Sequence, residues 1–228
     1  MKQVTLQREL RITADGSHTF YVPTLDEHFH SIHGALSESM HVFIQHGYNK
    51  LISDHHTVSI CEVGLGTGLN ALLTYKRSRE TGHQILYMGI EPYPLTMDEV
   101  NQLNIAEMVG HGIHADFFRQ LHQTPANKIV ELAPGFLFKR IEKVIQDAYL
   151  PPDLFNLVYF DAFGPQVQAE LWTEDVFLPI YQSMKHKGVL TTYSAKGSVK
   201  RALKKCGFQL DHPAGPAGKR EMTRAVKP

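Results

Sequence analysis

The stretch ICEVGLGTGLNAL, residues 60–72, constrains this chain more than any other. It continues an apolar run, residues 58–63, that is rich in β-branched side chains and closed by glycine, so it reads as a buried strand. Gly64, Gly66 and Gly68 follow at alternate positions. Leu69, Leu72, Leu73 and Lys76 then fall at helical spacing, with the apolar residues on one side. Strand, glycine turn and helix together are how an α/β sheet offers backbone N–H groups and a helix N-terminus to a ligand. Glycine permits the tight turn and lets a ligand lie against bare backbone.

Two ligands fit this turn. Gly66-x-Gly68-x-x-Ala71 matches the dinucleotide fingerprint. Read from Glu62, the same residues give E-x-G-x-G-x-G, which resembles the first motif of Rossmann-like S-adenosylmethionine methyltransferases. A tight strand–helix turn with no ligand is the bland alternative. A second apolar run, residues 84–91, ends in Glu91. A carboxylate there can accept hydrogen bonds from ribose hydroxyls, which suits either ligand equally. Its bland alternative is a solvated acid at a strand end. Glu62, Gly64, Gly66, Gly68, Asn70 and Glu91 are therefore the expected cofactor-binding set.

With 228 residues the chain is long enough for one domain, here residues 1–228, with a sizeable core. Residues 1–52 are expected as an N-terminal extension and 53–228 as the Rossmann-like core. The extension reads as a β-hairpin, with Val4, Leu6 and residues 10–12, a turn at 14–17 and a strand at 19–22, followed by helical periodicity over 37–51. His28, His30 and His33 invite a metal, but no Cys or carboxylate completes a ligand set, and none is expected. His55-His56 reads as a polar loop. Cys61 and Cys206 imply no disulfide framework. No signal-like segment or membrane-length apolar run is present, so a cytoplasmic protein is expected.

From residue 57 strands and helices alternate. Helices are expected over 96–108, 115–122, 173–184 (with Pro179 inside) and 196–206, stopped by Gly207. Further strands are expected at 135–141, 155–161 and 188–194. Residues 208–212 and 221–226 form two last strands with no helix between them, hence an antiparallel hairpin. A seven-stranded methyltransferase sheet ends that way and a dinucleotide dehydrogenase usually does not, which favours S-adenosylmethionine. The expected fold is thus α/β, a Rossmann-like, mostly parallel seven-stranded sheet with an antiparallel C-terminal hairpin.

Asp161-Ala162-Phe163-Gly164-Pro165 lies at the carboxyl end of the fourth core strand, beside the expected crevice. It can set a carboxylate and an aromatic ring against a reacting group, or simply be a turn with a capping Asp. The order E-x-G-x-G-T-G-L-N (62–70), F-D-A-F-G-P (160–165), L-W (171–172), G-x-x-x-R-x-L-x-x-x-G-F (197–208) and the final G-x-x-x-K-R-E-M (215–222) is similar to the tRNA (5-methylaminomethyl-2-thiouridine)-methyltransferases. These form the N-terminal domain of the bifunctional MnmC enzyme and the stand-alone MnmD type. The stretch SIHGALSES (31–39), with Val42-Phe43, also looks like the family's entry segment. The resemblance covers residues 26–227. It implies methyl transfer from S-adenosylmethionine to the exocyclic amine of 5-aminomethyl(-2-thio)uridine at the tRNA wobble position. No counterpart of the bifunctional enzyme's FAD-dependent oxidase domain is expected in this chain. One departure is that family members often carry an acid after the third strand, near adenine, where this chain has FKRIE at 138–142.

Asp161 is then the expected catalytic residue, orienting the amine and accepting or relaying its proton, and Phe163 the expected ring beside the substrate. A net charge of zero is at odds with an RNA partner until its distribution is seen. Residues 196–228 carry nine bases against Asp211 and Glu221, or +7. Lys219 and Arg220, in a glycine-rich loop, are the expected phosphate contacts, whereas Lys200, Lys204 and Lys205 read as a solvated helix face. The competing readings are a methyltransferase for a small-molecule or protein amine, and a nucleoside-binding module without catalysis.

Overall fold

The computed structural model describes residues 6–51, 56–110 and 112–228. Val4, His55 and the expected boundary at 52/53 lie outside them. The N-terminal strands are β1 (Glu9–Ile12), β2 (His18–Val22) and β3 (Glu27–His28). They form a small antiparallel sheet, the expected hairpin plus one short strand. α1 (Ala35–Ser39) runs into a π-helical turn, Met40–Gln45, and a 3-10 turn, Tyr48–Lys50. The helical periodicity of 37–51 is therefore real but broken into three pieces.

The core follows: β4 (Thr57–Val63), α2 (Leu69–Thr81), β5 (Gln84–Ile90), α3 (Met97–Val100), α4 (Ile105–Val109), α5 (Ile113–Gln123), β6 (Ile129–Ala133), β7 (Phe136–Ile141), β8 (Phe155–Phe160), α6 (Glu174–Ser183), β9 (Met184–Thr192), α7 (Gly197–Lys205), β10 (Gln209–Asp211) and β11 (Thr223–Val226). The single helix expected over 96–108 is two. Thr96 caps the first in a reciprocal box with Glu99. Asn104 interrupts it because its amide is spent on the N-terminal sheet, donating to the Gly16 carbonyl and accepting from the His18 N–H.

The strands make one sheet in the order β10-β11-β9-β8-β4-β5-β7-β6. The five central strands are parallel, and β11 enters antiparallel between β9 and β10. The expected seven strands and terminal hairpin are all present. The eighth, β6, pairs antiparallel with β7 at the sheet edge. Its sequence, IVELA, is short and, apart from Leu132, only half-buried or exposed, so it lacked the continuous apolar signal of a central strand. Apolar side chains fill both faces of the sheet. One core packs α2, α5 and the π-helical turn, and the other packs α6 and α7. Strand order reverses between β4 and β8, so the connections that leave their carboxyl ends part to opposite faces of the sheet and open a crevice. Among the described residues, no helix is long and apolar enough to cross a membrane.

Candidate active site

A cleft of about 660 Å³ opens at this reversal, within the usual range for a small-molecule site. Gly64, Gly66, Asn70, Glu91, Asp161, Phe163 and Lys219 all line it. Three further expected site residues do not: Glu62, Gly68 and Arg220.

The glycine turn is shaped by what presses on it. At Gly64, with φ +88°, an added Cβ would meet the Asp161 carbonyl oxygen at 2.5 Å, because the ends of β4 and β8 almost touch. At Gly68, with φ +76°, it would meet Leu121 of α5 at 2.9 Å. Gly68 is thus needed for helix packing rather than for the cleft. The Gly66 N–H donates to Glu91 Oε2 at 2.9 Å, and the Tyr93 N–H donates to Oε1, also at 2.9 Å. Glu91 braces the loop across the crevice and retains lone pairs for hydroxyl donors.

Glu62 is fully buried on the α2 side of β4, behind the cleft wall. Asn70 Nδ2 donates to Glu62 Oε1 at 2.8 Å and to Asp161 Oδ2 at 2.9 Å, and the Tyr87 hydroxyl donates to Glu62 Oε2 at 2.8 Å. One amide therefore ties a hidden carboxyl to one that lines the cleft. Burial pushes the Glu62 carboxyl up to about 8. It pushes Asp161 well above the usual carboxylate range too, with Glu62 and Glu38 adding to the effect and Asn70 and Lys219 opposing it. Asn70 Oδ1 is buried and has no partner among the described residues, which leaves an acceptor at the cleft wall for a ligand N–H or O–H.

The turn after β8 is bolted in place. The Tyr193 hydroxyl donates to the Ala162 carbonyl at 2.8 Å, and Trp172 Nε1 donates to the Phe163 carbonyl at 2.8 Å. Phe163 meets Phe29 edge-on at 5.5 Å.

The N-terminal extension supplies a wall of the cleft, which the sequence did not suggest. Arg8 Nη1 donates to both oxygens of Glu99, at 3.0 and 3.1 Å, Nη2 donates to the Tyr93 carbonyl, and the guanidinium lies 5.6 Å from the Phe29 ring centre. His30 is held by Thr19 and Thr67 at 3.0 and 3.2 Å, joining the extension to the glycine turn. Burial lowers its pKa to about 4. Among the described residues no His, Cys, Asp or Glu cluster is arranged to hold a metal ion. After β7, Val144, Ile145 and Gln146 face the cleft, while Glu142 turns away to pair with Arg140 at 2.7 Å.

The basic C-terminal segment is less free than its composition suggests. Lys200, Lys205, Lys219, Arg224 and Lys227 pair with Glu221, Glu174, Glu38, Asp211 and Asp153. Lys219 therefore has a partner inside the cleft, which its place in a glycine-rich loop did not signal. Arg220 instead lines an adjoining groove with Lys196, Ser194 and Glu221.

A doubly covered parallel sheet with an antiparallel strand next to its edge, a glycine turn and an acid at the reversal point define a Rossmann-like methyltransferase. The chain belongs to a family described as S-adenosyl-L-methionine-dependent methyltransferase, whose pattern matches residues 113–228. It is 29% identical over 239 residues to the tRNA 5-methylaminomethyl-2-thiouridine biosynthesis bifunctional protein MnmC of Cupriavidus metallidurans, covering 99% of this chain and 34% of that protein. The protein of the same name from Burkholderia multivorans is 27% identical over 221 residues, covering 90% of this chain and 33% of its own length. The crystal structure of MNMC2 from Aquifex aeolicus superposes with a TM-score of 0.75 at 24% identity, covering 97% of this chain and 71% of that one. The family resemblance read from the motifs is thus met, and the chain spans about a third of the length of these curated relatives.

Proposed function

We propose that this protein transfers a methyl group from S-adenosylmethionine to the aminomethyl amine of 5-aminomethyl(-2-thio)uridine at the tRNA wobble position. The observation that carries the reading is Asp161: a carboxyl with a raised pKa, on the lip of the crevice, anchored through Asn70 to the wall that receives a cofactor. The names of the relatives support the tRNA substrate, and the cytoplasm is the expected compartment.

The residues present fit the cofactor. Bare backbone at Gly64 and Gly66, the Glu91 carboxylate and the unpartnered Asn70 Oδ1 offer a cradle, a hydroxyl acceptor and a free acceptor. Val63, Ile90, Val144 and Ile145 supply an apolar slot for a flat ring, with Gln146 as its polar contact in place of the missing acid. When bound, S-adenosylmethionine supplies an electrophilic methyl on a sulfonium.

The protein's own task is to orient and deprotonate an amine. An alkylammonium has a reference pKa of roughly 10.4 and an ordinary Asp roughly 3.9, a gap that makes Asp a poor base. Burial acts on both in the useful sense, raising the acid and lowering the ammonium. Asp161 Oδ1 is not engaged by Asn70, so it can accept the amine proton while Oδ2 stays fixed. Positioning accounts for much of the remaining rate.

Lys196 and Arg220, which have no acid partner among the described residues, flank the groove beside the cleft and suit the phosphates of an RNA strand. The test is mass analysis of wobble nucleosides from tRNA incubated with the protein and S-adenosylmethionine. A gain of one methyl on the 5-aminomethyl nucleoside is expected. Full cofactor binding with no change in any tRNA nucleoside refutes the substrate.

A further inference from the structure

Three side chains that the proposed reaction leaves without a task meet where the cleft joins the basic groove. Lys219 lines both spaces. Its Nζ donates to Glu38 Oε2 at 2.7 Å and lies 4.0 Å from the Tyr193 ring centre. Glu38 is only 8% exposed, and its other oxygen accepts the Ser31 N–H at 3.3 Å. The Tyr193 ring is fixed at its hydroxyl by the Ala162 carbonyl and packs edge-on against Trp172 at 6.1 Å. A nearly buried carboxylate and an immobilised aromatic face together make a seat for one alkylammonium. Asp161 lines the same cleft, and its carboxyl feels both Glu38 and Lys219.

We infer that Glu38 and Tyr193 form the seat for the cationic amine of the substrate, and that the Lys219 ammonium occupies this seat until the substrate displaces it. The inference rests on the amine-methylating reading above. Lysine ends in a primary alkylammonium, the same group that an aminomethyl substituent carries. Exchanging one ammonium for the other keeps Glu38 paired throughout, so a nearly buried carboxylate is never left alone. The displaced Lys219 lies at the mouth of the groove that holds Lys196 and Arg220, where it joins them in facing RNA phosphate. Glu38 then selects by charge. A neutral hydroxymethyl group at the same position would leave the carboxylate without its cation, and an anionic group would be repelled.

Stem-loop RNAs carrying either 5-aminomethyluridine or 5-hydroxymethyluridine at one loop position test this by calorimetry. Their affinity ratio cancels the phosphate contacts. It is expected to favour the amine by about tenfold or more in the wild type, the scale of a hydrogen bond to a charged group. The ratio should rise in Lys219→Met, which lacks the competing ammonium, and collapse towards one in Glu38→Gln. A wild-type ratio in Glu38→Gln, or a lost preference in Lys219→Met, overturns the inference. A second measurement needs no RNA. Methylammonium titrated into Lys219→Met should shift the ring-proton resonances of Tyr193, and should not do so in Lys219→Met combined with Glu38→Gln. No shift in Lys219→Met overturns the seat. If the shift is present while wild-type protein methylates no tRNA, the seat stands and the tRNA reading falls.

Discussion

Replacing Asp161 by Asn removes one charge at the lip of the crevice while keeping its shape. Asn70 Nδ2 now donates to Asp161 Oδ2 at 2.9 Å, and the carbonyl oxygen of the introduced amide can take over that bond. The amide nitrogen would then fill the position of the free oxygen and present a donor where the amine needs an acceptor. Folding should change little, because the turn remains fastened through Tyr193 and Trp172. Cofactor affinity should also hold, since the glycine turn is braced by Glu91 rather than by Asp161. Transfer should fall by about 100-fold or more, the range for a positioned acid–base group, which corresponds to roughly 2.7 kcal/mol or more of barrier. The pH dependence is the sharper reading. The wild type needs Asp161 ionised, and its pKa is raised, so the rate should climb with pH through that raised value. In the variant only the fraction of free substrate amine should matter, and the deficit should shrink towards about pH 10, near the reference value for an alkylammonium. Single-turnover assays with saturating tRNA and cofactor, run from about pH 6 to that limit, measure both effects. A variant that transfers at the wild-type rate at neutral pH would refute the assignment and leave Asp161 as a turn residue.

Gly64→Ala should lower the melting temperature and abolish transfer, because its Cβ would stand 2.5 Å from the Asp161 carbonyl oxygen; unchanged calorimetric melting would mean that β4 and β8 separate easily. Gly66→Val should abolish cofactor binding, since its side chain would enter the cleft towards Phe29, whose ring is 3.3 Å from where the Cβ would stand; calorimetry with wild-type affinity in a folded variant would remove this turn from the site. Glu62→Gln should flatten the pH dependence of stability. The folded carboxyl sits at about 8 against a reference of 4.5, so the folded state holds the proton more tightly and this group's stabilisation declines as pH rises from 4.5 to 8, by about 1.4 kcal/mol per unit. The melting temperature of the variant minus that of the wild type should therefore grow across this window, and a constant difference would show that Glu62 is not protonated in the fold. Lys196→Ala with Arg220→Ala should weaken tRNA binding and flatten the slope of log K against log salt by about 0.7–0.9 per lost phosphate contact; equal slopes would move the RNA to another face.

Local patterns along the chain were enough to specify the sheet and its ligand edge. The glycine turn after 58–63, the acids at 62, 91 and 161 and the helix-free last pair of strands are all of this kind, since strand period and turn chemistry are written residue by residue. That is why β4, β5, β8 and the β10–β11 hairpin stand where they were expected. Which acids reach the cleft was settled only by folding. Glu62 stands opposite Tyr159 in the β4–β8 pair and Asp161 two residues further on, on the same face, yet Glu62 is buried beneath Asn70 while Asp161 lines the cleft, and no spacing along the chain encodes the amide that joins them. Folding also brought Arg8, Phe29 and Glu38 over a crevice formed some 25 or more residues further on, and engaged Lys219 with Glu38 across 181 positions. Side-chain partners of that separation depend on how sheet and extension pack, and packing belongs to the whole chain rather than to any stretch of it.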